Sequence, residues 1–443
     1  MISTKPRRIA SSVLLIVLSV ARWSFGSEQV SFDKHAIINA ISGELEERYV
    51  LPDVGQRMAD HLRAKMARGE YDEITNLDSF ANQLTMDLRD ISEDGHIVVY
   101  EFEPDISSAT LADELSKQDI AKHARENFGF AKAERLAGNV GYLKFDYFDY
   151  PEIAGPTATA AMNFVANCDA VIIDLRDNRG GKKDMVQFLA SYFFREPIHF
   201  LTVFDRNNGV LAQTTSLAYV PGQRMFDTPV YILTSRRTAS AGEAFTYNLK
   251  SFDRAVVVGE TTKGIANWVE PVDFPEHSLR LHLPYARPES VVTHTNWEQV
   301  GVKPNIEVPS DEALAVAHLE AMKKLITECS DEDVRRVLEW DFVEVQAQAK
   351  PIEWTREEMS AYTGVYGDGT YTVVIKDGRL CWEFSADEDH FLLPLNADLF
   401  VLSDDYDVRF QIYRDQNGNV SAFQLKYRDG YKGRIWPRTG NLP

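Results

Sequence analysis

Apolar residues recur every three or four positions along the first part of the chain. Ile37, Ile41 and Leu45 form one such set, and Phe80, Leu84, Leu88 and Ile91 another, with a polar stretch from Arg68 to Asn76 between them. That spacing puts each set on one helical face and predicts a mostly helical segment from about 30 to 135. The pattern stops at Asp94-Gly95, after which His96-Ile-Val-Val-Tyr100 reads as a strand. His96 therefore stands at a helix-to-strand junction, just behind a glycine turn.

From about 138 to 310 the period switches back and forth. Val140–Phe145, Ala170–Leu175, Pro229–Leu233 and Ala255–Gly259 are short apolar runs, separated by helical patterns over Ala158–Ala166, Asp184–Phe194 and Glu243–Phe252. Strands that read as continuous apolar runs between helices predict an α/β core with a buried, largely parallel sheet. A charged helical connector follows over 311–349, opening at a cap formed by Ser310-Asp311. After Pro351 the period becomes that of strands. Lys376-Asp-Gly378 and Asn417-Gly418 mark hairpin turns, which predicts a separate antiparallel β domain.

At 443 residues the chain is long enough for two or three domains. A formal net charge of −20 argues against nucleic acid or anionic lipid as a partner. Lys5, Arg7 and Arg8 precede an apolar run from Ile9 to Ala21, followed by Arg22 and small residues around Ser24–Ser27. The order basic, apolar, small is that of a secretory signal, and the run is shorter than the ~20 residues a membrane span needs. Export to a periplasmic or extracellular space is expected, with no membrane span in the mature chain. Cys168, Cys329 and Cys381 fit neither a disulfide framework nor a zinc pattern. No metal and no cofactor is expected, since the P-loop, dinucleotide and H-E-x-x-H patterns are all missing.

Three loops of the α/β segment and one histidine carry the candidate chemistry. Asn178-Arg-Gly180-Gly181 follows a buried strand, and its glycines allow backbone N–H groups to approach a ligand. Ser240 stands at another strand-to-helix turn. Ser240-Ala-Gly-Glu243 fits a helix capping box, the reading that the stretch alone favours, and it also fits a nucleophile with small neighbours and the N–H of Ala241 beside it. Thr295-Asn-Trp-Glu298 is a polar turn in an apolar region.

The ordered motifs Gly138-Asn-Val-Gly-Tyr-Leu, Asp174-Leu-Arg-Asp-Asn-Arg-Gly-Gly181, Leu233–Glu243, Val258-Gly-Glu-Thr-Thr262 and Asn296–Pro304 together resemble the S41 family of serine peptidases. Within it, they are similar to the branch related to interphotoreceptor retinoid-binding protein and the tricorn core. That resemblance implies a crotonase-like β/α spiral with Ser240 as nucleophile, His96 as base and Glu298 as the carboxylate that orients it. Gly180, Gly181 and Ala241 would hold the oxyanion. The processing-protease branch uses a serine/lysine dyad instead, for which Lys263 is the candidate. That branch also usually carries a PDZ domain, yet only about 40 residues separate His96 from Gly138, below the roughly 50 of a small domain. Two residues, Gly95 and Arg179, and one stretch, Lys263-Gly-Ile-Ala-Asn267, depart from the family pattern. The stretch from Tyr362-Thr-Gly-Val-Tyr366 onward resembles small accessory domains of exported hydrolases and implies a calycin-like barrel.

The resulting expectation is an exported serine peptidase acting on a peptide or protein. Its segments are a signal at 1–26, a helical domain at 27–135, a catalytic core at 136–310, a connector at 311–349 and a β domain at 350–443. A non-catalytic binding protein for an apolar ligand, a small-substrate esterase and a Ser240/Lys263 dyad are the alternatives.

Overall fold

The computed structural model describes residues 32–102, 117–385 and 388–440, so the signal expected at 1–26 lies outside the described residues. The first helices are α1 (Lys34–Arg48), α2 (Pro52–Ala67) and α3 (Leu77–Ser92). Asp33 and Asn76 cap the first and third through side-chain oxygens, and Pro52 opens the second. The apolar stripes Ile37/Ile41/Leu45 and Phe80/Leu84/Leu88 are buried, as their spacing requires. α3 ends on Glu93 in the left-handed region (φ 54°), and the chain turns through Asp94-Gly95-His96 into strand β1 (Val98–Glu101). A fourth helix, α4 (Lys117–Arg125), leads towards the core.

The core begins with β2 (Phe130–Leu136), β3 (Val140–Phe145), α5 (Pro151–Val165), β4 (Ala170–Asp174) and α6 (Lys183–Ala190). A hairpin of β5 (His199–Asp205) and β6 (Val210–Thr215) follows, then β7 (Val230–Thr234), α7 (Ala241–Ser251) and β8 (Val256–Gly259). β9 (Trp268–Phe274), β10 (Leu279–Ser290) and β11 (Ile306–Glu307) complete it. One sheet runs β11-β8-β7-β4-β3-β2, parallel except for β2. β4 and β7 are buried at every residue, which is why they read as unbroken apolar runs. Alternate residues of this sheet feed two cores. Ile173 and Ile232 face α5 to α7, while Ile172 and Tyr231 face the other way.

Three features differ from the sequence pattern. β2 falls within the segment expected to be helical, yet pairs antiparallel with β3 as an edge strand. A second, antiparallel sheet, β1-β10-β5-β6 with β9 on β10, packs against α1 to α3 and was not anticipated. The connector is two helices, α8 (Ala313–Glu328) and α9 (Glu332–Ala349), and α8 begins beyond the anticipated cap, with Glu312 at its N-cap position. Ala313, Ala317, Ala321 and Met322 of α8 bury against the core sheet, so it is a covering layer of the core.

A short helix, α10 (Arg356–Ser360), precedes eight strands: β12 (Gly364–Tyr366), β13 (Tyr371–Lys376), β14 (Arg379–Ser385), β15 (Glu388–Asn396), β16 (Leu399–Leu402), β17 (Val408–Arg414), β18 (Val420–Tyr427) and β19 (Lys432–Gly440). They close into an antiparallel barrel through the β12–β19 pairing. Asp377 and Gly378, both at positive φ, form the tight β13–β14 turn that their sequence signals.

Candidate active site

The site forms where four loops meet, each ending a strand or helix of a different part of the chain. Ser240 follows β7 at the entry to α7, with φ 51° and ψ −114°, a strained conformation for a residue with a Cβ. Glu243 holds that turn. Its fully buried carboxylate accepts from the Ser240 N–H (2.8 Å), the Thr262 hydroxyl (2.5 Å), and the Gly264 and Ile265 N–H groups (2.6 and 3.0 Å). The Ser240 N–H contact is the glutamate half of the S-x-x-E capping box, and the Ser240 hydroxyl lies 3.0 Å from His96 Nε2.

His96 reaches Ser240 from the α3–β1 turn, 144 residues away in sequence. Its N–H donates to Asp94 Oδ1 at 2.9 Å, which fixes the turn. Gly95 leaves no room for a side chain, since a Cβ there would lie 2.5 Å from Ile265 Cγ2. Burial, reinforced by Lys263, His282 and Arg89, lowers the imidazole pKa to about 4 against the pull of Asp94, so the ring is neutral at neutral pH.

Glu298 stands close by but does not hydrogen-bond the ring. Its Oε2 accepts from the Ala266 and Asn267 N–H groups (2.5 and 3.1 Å), while Oε1 has no partner. His96 Nδ1 also lacks one, with Asp94 Oδ1 3.9 Å away. Ligand atoms of Asp94, His96 and Glu298 all lie within 4.8 Å of one another. Among the described residues this is the one such group close enough to share a cation, and Ser240 already engages one ring nitrogen of its histidine. Burial and the nearby Asp94 carboxylate push the Glu298 pKa up to about 7. Asp94 is itself buried and accepts from Asn267 Nδ2 (2.9 Å) and Tyr49 Oη (3.3 Å). The sequence pointed to Glu298 but gave Asp94 and Asn267 no role. The signals were the Asp-Gly-His spacing and the asparagine noted as a departure.

The glycine loop lies against the serine. Asn178 is buried, donates to Phe145 O (3.0 Å) and accepts the Gly180 N–H (2.9 Å). Of the three anticipated oxyanion donors, Gly180 is thus engaged within its own loop. The N–H groups of Gly181 and Ala241 serve no other acceptor among the described residues, and both residues line a cleft of about 330 Å³ that also contains Ser240. Lys263 is exposed; its backbone N–H donates to Thr238 O, and its side chain makes no hydrogen bond to Ser240.

A serine on a strained strand-to-helix turn, a neutral histidine at its hydroxyl and free N–H groups beside it form the constellation that acyl transfer requires. Residues 139–308 match the model of peptidase family S41, and residues 30–127 match the N-terminal domain of peptidase S41 in eukaryotic IRBP. The chain belongs to peptidase family S41. It is 24% identical over 210 residues to the carboxy-terminal processing protease CtpB of Bacillus subtilis, covering 46% of this chain and 42% of that protein. It is 27% identical over 172 residues to the chloroplastic carboxyl-terminal-processing peptidase 2 of Arabidopsis thaliana, covering 38% of this chain and 32% of that one. The chain thus spans less than half the length of these curated relatives. A crystal structure from Parabacteroides merdae, of a protein proposed to be a peptidase, is similar in fold: TM-score 0.50 and 17% identity, over 68% of this chain and all of that one.

Proposed function

We propose that the chain is a serine peptidase working through an acyl-enzyme on Ser240. The observation that carries this reading is the 3.0 Å contact between Ser240 Oγ and His96 Nε2. His96 takes the hydroxyl proton as Ser240 attacks a peptide carbonyl, and then returns it to the leaving amine. The Gly181 and Ala241 N–H groups receive the oxyanion, and water releases the acyl group. Glu298, together with Asp94, stabilises the imidazolium through space, since neither carboxylate hydrogen-bonds the ring nitrogen. Lys263 fits the dyad alternative less well, because a lysine base must be neutral and this one is exposed.

The test is labelling of the full chain with a fluorophosphonate, followed by peptide mapping. The expected result is a single adduct on Ser240, lost in Ser240→Ala and strongly slowed in His96→Ala. Unlabelled protein with no peptidase activity would overturn the reading. The basic, apolar and small residues over 5–27 further support export. N-terminal sequencing of protein from its native host should then begin between Arg22 and Glu28.

A further inference from the structure

The cleft beside Ser240 has a polar depth that the acyl-transfer chemistry does not use. Ala244 and Asn248 fall on one face of α7, because positions four apart stack on a helix, and Ser240 is the residue just before that helix. Ala244 is small and leaves the path open. Asn248 lies two turns deeper, only 3% exposed, and its Oδ1 has no hydrogen-bond partner. Thr214, on the edge strand β6, lines the same cleft, and its Oγ1 is likewise buried without a partner. Phe200, Leu201, Val186 and Trp297 supply apolar walls. Two buried oxygens without a hydrogen-bond partner, on residues that line an otherwise largely apolar cleft, are costly unless a ligand completes them.

We propose that the cleft binds the substrate side chain on the acyl side of the scissile bond, and that this side chain is long and uncharged with a hydrogen-bonding tip, as in glutamine or tyrosine. This rests on the peptidase reading above, since Ser240, Ala241 and Gly181 place the scissile carbonyl at the cleft mouth. Length follows from the helix. Eight residues rise about 12 Å, and helical side chains lean back towards the N-terminus. Glutamine or tyrosine, extended, spans the remaining gap, whereas serine or alanine does not. Charge is selected against. The cleft has no acidic residue in its lining and carries Lys182 and Lys183, which disfavours a cationic side chain. An anionic one has no hydrogen to give the unpaired Asn248 Oδ1, which only accepts. Aliphatic side chains fit the walls but leave Asn248 and Thr214 unpaired, and a site built for hydrogen bonds discriminates against such analogues.

The experiment uses the full chain and a peptide series varied only at the residue before the cleaved bond, with fluorophosphonate labelling of Ser240 run in parallel. Glutamine and tyrosine peptides should exceed leucine and methionine in kcat/KM by about tenfold or more, and lysine and glutamate peptides by a wider margin. Asn248→Leu should shift the glutamine-to-leucine ratio towards leucine by about tenfold while the serine still labels. Thr214→Val, a milder change on another element, should move the ratio the same way by less. Normal labelling with a leucine or lysine preference in the wild type, or with a ratio unmoved by both variants, overturns this inference and leaves the peptidase reading standing. Absence of both labelling and cleavage overturns the peptidase reading and this inference with it.

Discussion

At the residue scale, the titration of two buried groups separates the roles of His96 and Glu298. Burial holds His96 neutral down to about 4, so its loss as a base belongs at strongly acid pH. Glu298, raised to about 7, takes up a proton first as pH falls and then ceases to offset the imidazolium charge. kcat/KM should therefore rise with pH through a midpoint near 7. Glu298→Gln should erase that step and leave a flat, lower plateau, with KM little changed. A midpoint near 7 that persists in Glu298→Gln would assign it to His96. The linkage to stability has opposite signs. The raised Glu298 stabilises the fold at low pH and loses that contribution as pH climbs through 7. The depressed His96 loses its contribution as pH falls from 6.5 towards 4. Gly180 supplies a second test at this scale. Its φ is 105°, and a Cβ there would lie 2.8 Å from Ser240 Cβ. Gly180→Ala should cut kcat/KM by about a hundredfold or more through displacement of Ser240, with far-ultraviolet circular dichroism unchanged. Ser240, His96, Glu298 and the glycine loop could be picked out in sequence as candidates because each sits in a short, polar, ordered motif. Asp94 and Asn267 could not, because their roles depend on a contact between residues 173 positions apart.

At the scale of elements, the strand-to-helix turn after β7 depends on Glu243. Every partner of its carboxylate donates: three N–H groups and one hydroxyl. Glu243→Gln would turn an NH₂ group towards two of these donors. The expected cost is roughly 2–4 kcal/mol, the range for leaving buried donors unpaired, and it would be read from the midpoint of urea unfolding. A loss under half that size would mean that Glu243 does not hold the serine turn to the loop after β8. The S-x-x-E spacing marked this turn, but the contact between the serine hydroxyl and His96 joins residues 144 positions apart and could not be read from it. The parallel strands were readable because both of their faces are buried. β10 was less so, although its burial alternates strictly at both ends. Pro284 and Pro288 interrupt it, and its pairing with β9 shifts register between Pro284 and Ala286. β2 exposes much of its length as an edge strand and carries Lys132, Glu134 and Arg135, which dilutes its pattern.

At the scale of the whole molecule, the question is whether the barrel works independently of the site. Among the described residues, its apolar core draws only on those from Trp354 onwards, while the clusters of the α/β core and helical layer reach no further than Val345. The two are joined through α9. Arg428 pairs with Asp341 (2.6 Å), which also accepts the Gly138 N–H (3.2 Å), and Arg409 stacks 3.9 Å from the Trp340 ring. α8 and α9 cover the face of the core sheet served by Ile172 and Tyr231, whereas α7 and its serine belong to the opposite face. The barrel is therefore mounted behind the sheet that presents Ser240. A chain ending at Lys350 should fold and label at Ser240 at close to the full-length rate. It should also melt a few degrees lower, because Trp340 is uncovered and one partly buried ion pair is lost, together worth about 1–3 kcal/mol. Arg428→Ala in the full chain should reproduce part of that decrease without altering labelling. Aggregation of the shortened chain, or folded protein that no longer labels, would show that the barrel contributes to the catalytic unit itself.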